Sequence, residues 1–212
     1  MYLPEHFAEA RPEALAALIA EHPLGALVVR GPDGLDANHI PFELMPEQGP
    51  RGTLIAHVAR ANPVWSEVRD GDEALVIFRA EHAYVSPNGY PSKHELHRQV
   101  PTWNYRVVHV HGKVSIRDDE RFVRGVVARL TRRHEAATGD AKPWKMTDSE
   151  AAYIDDMLTR IVGIEVAIER IVGKWKLSQN KDARDRAGAA DALAERNPAM
   201  AASMRASLPR ED

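Results

Sequence analysis

Residues 103–117 read Trp-Asn-Tyr-Arg-Val-Val-His-Val-His-Gly-Lys-Val-Ser-Ile-Arg, the longest strand pattern in the chain. Val108, Val110, Gly112, Val114 and Ile116 fall on one face; Val107, His109, His111, Lys113 and Ser115 fall on the other. Successive side chains of a strand point to opposite faces, so this stretch predicts a long strand with one apolar side. Residues 52–60 repeat the pattern, Leu54, Ala56 and Val58 against Thr53, Ile55 and His57. Residues 160–172 do so again, Ile164, Val166 and Ile168 against Glu165, Ala167 and Glu169. Residues 24–30 and 37–44 flank the turn Gly31-Pro32-Asp33-Gly34 and read as a hairpin. Pro41 within its second arm predicts an edge or a bulge. The apolar run 74–78 reads as a buried strand with 82–86 as a pairing partner.

Helices are expected at 12–21, from the Asp118-Asp119 cap to about 137, at about 147–158, and in the Ala-rich tail from 181. Residues 87–100, with two prolines, a glycine and two histidines, read as an exposed loop. The sum is an α+β fold of six or seven mainly antiparallel strands, for which closure into a β-barrel removes the free edges. The expected organisation is one domain over 1–180, with a helical insertion at about 118–158, followed by a C-terminal helical tail at 181–212.

Composition narrows the chemistry. The 212 residues include no cysteine, which removes disulfides, thiolate nucleophiles and cysteine-ligated metal clusters. No apolar run reaches the roughly 18 residues of a membrane span, and the first residues lack a signal-peptide pattern, so no membrane partner and a cytoplasmic location are expected. Lys and Arg total 28 against 31 Asp and Glu, a net charge of −3 that gives no broad attraction to nucleic acid. No two glycines stand two residues apart, so the G-x-G-x-x-G dinucleotide fingerprint is absent, as are the P-loop and the G-x-S-x-G elbow. His94 with His97, and His109 with His111, have chelating spacing, but nothing in the sequence makes them converge, and no metal site is assigned.

Several short segments are recognisable in their order: Met1-Tyr2-Leu3-Pro4-Glu5-His6-Phe7, His39-Ile40-Pro41-Phe42, residues 55–65 (Ile-Ala-His-Val-Ala-Arg-Ala-Asn-Pro-Val-Trp), Ala83-Tyr84-Val85-Ser86-Pro87, Tyr90-Pro91-Ser92-Lys93, Val100-Pro101-Thr102-Trp103-Asn104-Tyr105, His109-Val110-His111-Gly112 and Lys176-Leu177-Ser178-Gln179-Asn180. Together they resemble the PaiB family of FMN-binding negative transcriptional regulators, over about residues 1–186. The resemblance implies an FMN-binding split β-barrel similar to pyridoxamine phosphate oxidase, and a homodimer with flavin at the subunit interface. One departure is Gly89, where family members typically carry a tryptophan before the tyrosine.

The FMN site is expected to use a guanidinium for the phosphate, and Arg60 is the first choice by its place after the third strand. Asn62 and His57 add donors, although His57 also suits a plain polar strand position. Backbone groups at Asn38, His39, Ile40 and Pro41 suit the polar edge of the ring, because Pro41 frees its neighbours from the ladder. Trp103, Asn104 and Tyr105 suit a ring pocket, an aromatic pair around an amide. Gln179 and Asn180 either line the same cleft or end the strand that precedes them, and Lys176 pairs with either phosphate or solvent.

The family implies a transcriptional role; the residues themselves give no helix-turn-helix. A flavin-dependent oxidoreductase acting on a small molecule is the rival, with a flavin- or haem-binding sensor as a third reading. Any DNA contact would fall to Arg121, Arg124, Arg129, Arg132 and Arg133 on the helix after the long strand.

Overall fold

The computed structural model describes residues 1–208; the last four residues of the expected tail lie outside them. Eight strands form one sheet: β1 (Ala8–Glu9), β2 (Leu24–Gly31), β3 (Gly34–Pro41), β4 (Glu43–Met45), β5 (Thr53–Ala59), β6 (Glu73–Val85), β7 (Thr102–Arg117) and β8 (Ile161–Lys176). Their order is β3-β2-β6-β7-β8-β5-β4, with β1 on β8. The helices are α1 (Pro12–Glu21), α2 (Val64–Glu67), α3 (Pro91–Leu96), α4 (Glu120–Ala136), α5 (Ala151–Thr159), α6 (Ala183–Leu193) and α7 (Pro198–Ala206). The architecture is the split barrel expected, α+β and antiparallel in the β1–β8, β2–β3, β2–β6, β4–β5 and β5–β8 pairings.

The chain divides into two compact units, and β6, β7 and β8 each contribute residues to both. The second unit, residues 19–78 and 109–171, holds the hairpin, β4 and β5, and helices α4 and α5. Its core joins the alternating apolar faces expected for β5, β7 and β8 to residues of β2 and β6. Leu27, Val29, Leu54, Ala56, Val58, Val76, Phe78, Val110, Val114, Val162, Ile164 and Val166 are each at most 3% exposed. Pro41 ends the β2–β3 ladder opposite Leu24, and β3 lies at one end of the strand order. After it Phe42 turns inward, its ring edge-on to Phe78 with 5.9 Å between centroids. Asp119 caps α4 by accepting the Phe122 N–H at 2.8 Å, and α4 lays Val126 and Leu130 on Ile55 of β5.

The first unit comprises residues 1–18, 79–108 and the chain from 172 onward. Two expectations change here. The runs 74–78 and 82–86 are not partners; they belong to the single strand β6, which stays extended through residues 79–81 while its buried positions pass from Ala74, Val76, Phe78 and Ala80 to Ala83 and Val85. Residues 87–100 are not a bare loop. A short 3-10 turn, Pro87–Gly89, leads into α3, and Tyr90 between them is fully buried.

The reason is a partner distant in sequence. Asp185 of α6, 1% exposed, accepts from the Ser92 N–H at 2.9 Å, the Ser92 hydroxyl at 2.5 Å and the Gln99 amide at 2.9 Å. Residues from α6 and α7, including Ala189, Leu193, Met200 and Met204, complete a core with Ala83, Val85, Tyr90 and Leu177. The segment from 181 to 208 is therefore built into this unit's interior.

Gly112 makes the closest approach in the second unit. A Cβ there would lie 2.2 Å from the Ala167 carbonyl oxygen of the neighbouring strand. Gly112→Ala is expected to destabilise the protein by about 2–3 kcal/mol, as overpacking against backbone does. Gly125 lies within α4 with nothing within 4 Å of its Cβ position. Gly125→Ala should raise stability by up to about 1 kcal/mol through helix propensity. Urea unfolding of the two variants, read against the parent, checks both signs.

Candidate functional site

The expected site residues fall into two groups, one in each unit, and each group has its own geometry. In the second unit, Asn38 of β3 and Asn62, just beyond β5, are brought together. The Asn62 side-chain amide donates to the Asn38 side-chain oxygen at 2.7 Å. The Asn62 oxygen accepts the Val64 N–H at 3.0 Å and so starts α2. Asn38 in turn donates to Asp36 at 2.8 Å. His39 is exposed beside this chain of amides, whereas the Ile40 side chain is buried in the core. As the terminal strand of the sheet order, β3 has one row of backbone N–H and C=O groups without a strand partner among the described residues, and Pro41 withholds one donor from it.

His57 lies within β5 and is half-buried. Its Nδ1 is buried with no hydrogen-bond partner among the described residues. Burial pushes its pKa below the ordinary imidazole value, so the ring is neutral at pH 7. A buried polar atom without a partner is costly, and a ligand oxygen or hydroxyl against Nδ1 would remove that cost.

Arg60 continues the β5–β8 ladder, its N–H donating to the Arg160 carbonyl at 2.7 Å. Its guanidinium is engaged: Nη1 and Nη2 hold the two oxygens of Asp118 at 2.9 and 2.5 Å, and Nε donates to the Thr159 carbonyl at 2.7 Å. The Trp65 ring lies 5.5 Å from the guanidinium carbon, and its indole N–H donates to the Arg60 carbonyl at 2.9 Å. Hydrogen bonds from Arg60 hold the Asp118 carboxyl below its usual value. Both side chains remain open to solvent, 38% and 47% exposed. An ion pair so exposed is weak, and a phosphate dianion presents more charge to the same fork than one carboxylate does.

The acidic surroundings limit the direction of approach. Arg60 shares a cavity of about 640 Å³ with Asp118, Asp119, Glu120, Asp155 and Asp156. A phosphate at the Arg60 fork therefore competes with Asp118 and meets the repulsion of the neighbouring carboxylates.

In the first unit, Asn104 is fully buried and spends its amide on the Ser178 hydroxyl at 2.9 Å and the Met204 sulfur at 3.4 Å. Gln179 forms a local clip, donating to the Trp175 carbonyl at 2.6 Å and accepting the Leu177 N–H at 2.7 Å around Ser178, whose φ is +66°. Both side chains thus serve the end of β8. Lys176 donates to the Trp103 carbonyl at 2.5 Å and to the Thr102 hydroxyl. Burial, and then the charge of Lys174, hold its pKa below the usual lysine value. Trp103 is 55% exposed, with His82 stacked 6.2 Å away and Tyr84 edge-on at 5.9 Å. Tyr105 is half-buried and faces the Lys174 ammonium at 5.5 Å from its ring centre.

Asp118, Thr159 and Trp65, which govern Arg60, were not singled out from sequence. Asp118 reads there as half of a capping pair, but Asp119 alone caps α4, leaving Asp118 for Arg60. No local signal links Arg60 to a carboxylate 58 positions away.

Comparison with known proteins identifies the family. The family model described as "Putative FMN-binding domain" matches residues 1–170. An uncharacterized protein of Aspergillus fumigatus is 32% identical over 231 aligned residues, covering 89% of this chain and 88% of that one. The Bacillus subtilis "Protease synthase and sporulation protein PAI 2" is 28% identical, covering 87% of this chain and 85% of its own. Among solved structures, the flavocytochrome Anf3 of Azotobacter vinelandii superposes with a TM-score of 0.56 at 10% identity, covering 82% of this chain and 72% of that one, a likeness of fold. With its ordered motifs, its antiparallel split barrel and these matches in accord, the chain belongs to the PaiB-type family of FMN-binding domains.

Proposed function

We propose that the protein is a homodimeric flavoprotein that uses FMN in redox chemistry on a small molecule, and that it does not itself grip DNA. The observation that carries the choice is the state of the arginines on α4. Arg124 is bound by Glu120 at 2.8 Å and Asp155 at 2.6 Å, and Arg133 donates to the Ala20 carbonyl at 3.1 Å. Arg121, Arg129 and Arg132 remain exposed, with Asp118, Asp119 and Glu120 at the same end of the helix as Arg121. Phosphate-directed binding depends on cations free to displace counterions, and this helix has too few for tight association.

Bound FMN supplies a ring that takes up and releases hydride or single electrons. The chain's own part is to hold and orient it. Arg60, His57 and Asn62 supply donors to the phosphate and ribityl side, Arg60 after exchanging Asp118 for phosphate. The unpaired backbone row at 38–41 serves the polar ring edge.

A second copy of the chain suits the outer face of the second unit's sheet. Val28, Leu75, Ile77, His109 and His111 are all half-buried there. Burial is the main cause that lowers the pKa of both His109 and His111, so both rings are neutral at pH 7. A permanent dimer on this face buries roughly 2,000 Å² or more in total.

Three outcomes are expected. Arg60→Ala should weaken FMN binding roughly 10-fold or more while leaving riboflavin binding unchanged, and Asp118→Asn should tighten FMN by freeing the fork. Flavin fluorescence titration reads both, and equal losses for FMN and riboflavin would remove Arg60 from the phosphate. Light scattering at micromolar concentration should give a dimer mass, converted toward monomer by Ile77→Asp. Titration with the protein's own promoter DNA and a scrambled fragment, at two salt concentrations, should show only weak, unselective binding. Tight selective binding would restore the repressor reading.

A further inference from the structure

We propose that the cavity between α4 and the segment 143–147 is a binding site for a small aromatic carboxylate, distinct from the flavin site. The cavity has a volume of about 440 Å³, which is within the size of ordinary small-molecule pockets. Its floor is one face of α4, where Ala128, Thr131, Arg132, Glu135 and Ala136 recur at three- and four-residue spacing. Its opposite wall is Pro143, Trp144 and Met146.

The wall is built, not draped. The Trp144 N–H donates to the Glu135 carboxylate at 2.9 Å. The Lys145 N–H donates to Asp148 at 2.9 Å, and the Asp148 N–H returns to the Lys145 carbonyl at 2.8 Å. These bonds hold the Trp144 indole 41% exposed across the small side chains of the helix instead of letting it collapse onto them. A flat apolar surface of this size, kept open to water, favours an apolar guest.

Charge selects the guest's other end. Arg132 and Lys145 line the cavity, and neither has a carboxylate within ion-pair distance among the described residues. The one lining carboxylate, Glu135, already accepts the Trp144 N–H. A carboxylate on the guest would meet the Arg132 fork, the geometry that guanidinium groups favour, while its ring lies against Trp144. None of the lining residues belongs to the group around Arg60, so this site stands whether or not the flavin assignment above holds.

The test uses the full-length protein, with and without added FMN, and 1-naphthoate as the probe. Equilibrium dialysis should show saturable binding of one probe per chain, with quenching of tryptophan emission that Trp144→Phe abolishes. Arg132→Gln should weaken binding at least 10-fold, and Ala128→Leu should block the cavity. Thermal unfolding of each variant confirms that it is folded, and Arg132→Gln decides the matter if Ala128→Leu is not. 1-Naphthylmethylammonium, the same ring with the opposite charge, should not bind. The proposal is overturned by any of three results: no saturable binding up to about 1 mM, equal affinity in the parent and in Arg132→Gln, or release of FMN by the probe.

Discussion

The antiparallel pairing of β5 with β8 runs without a break from Thr53 opposite Ala167 to Ala59 opposite Ile161, and the Arg60 N–H adds one more rung on Arg160. Much of the second unit is arranged around this ladder. Its register sets Ile55 under α4 and keeps Leu54, Ala56 and Val58 in the core. It also delivers Arg60 to the carbonyls of Thr159 and Ile161 and to Asp118. A slip of one residue would exchange the two faces of β5, turning His57 inward in place of Ala56 and Val58 and directing Arg60 elsewhere. The chemistry of the candidate site is thus a by-product of strand register more than of any local motif.

Alternation made most of this readable beforehand. Long strands with one apolar face declare themselves through a period of two, and β5, β7 and β8 lie close to where that period places them. The segment 87–100 failed the same reading because its prolines and Gly89 carry the signal of a turn, while the groups that order it, Asp185 and the α6 alanines, are some ninety positions later. Sequence proximity carries no information about such a contact. The same is true of Arg60, whose residue type suggests a phosphate ligand and whose actual neighbour is a carboxylate.

Helix α4 shows how one element can carry two kinds of surface. Val126 and Leu130 meet Ile55 of β5. The face bearing Ala128, Arg132 and Ala136 lines a cavity with the segment that carries Trp144, and the polar end near Asp119 lies against the acidic surroundings of Arg60. Read as a sequence, the helix is a run of arginines; in the structure those cations are divided among an ion-pair cluster, a backbone carbonyl and solvent. The division follows from helical periodicity, which spreads five arginines over several directions in space.

The buried carboxylate of Asp185 also bears on how the protein comes into being. The first unit gathers residues from the beginning, the middle and the last portion of the chain, and α6 and α7 supply roughly half of one of its cores. On a ribosome, Tyr90, Val85 and Ala83 therefore emerge long before the side chains that will cover them. The second unit has all its strands in hand by residue 171 and is free to assemble first. Until α6 arrives, Ser92 and Gln99 lack their acceptor and the apolar interior beneath them stays open to solvent and to chaperones. Vectorial synthesis thus imposes on this molecule an order of maturation in which the unit containing the N-terminus is the last to close.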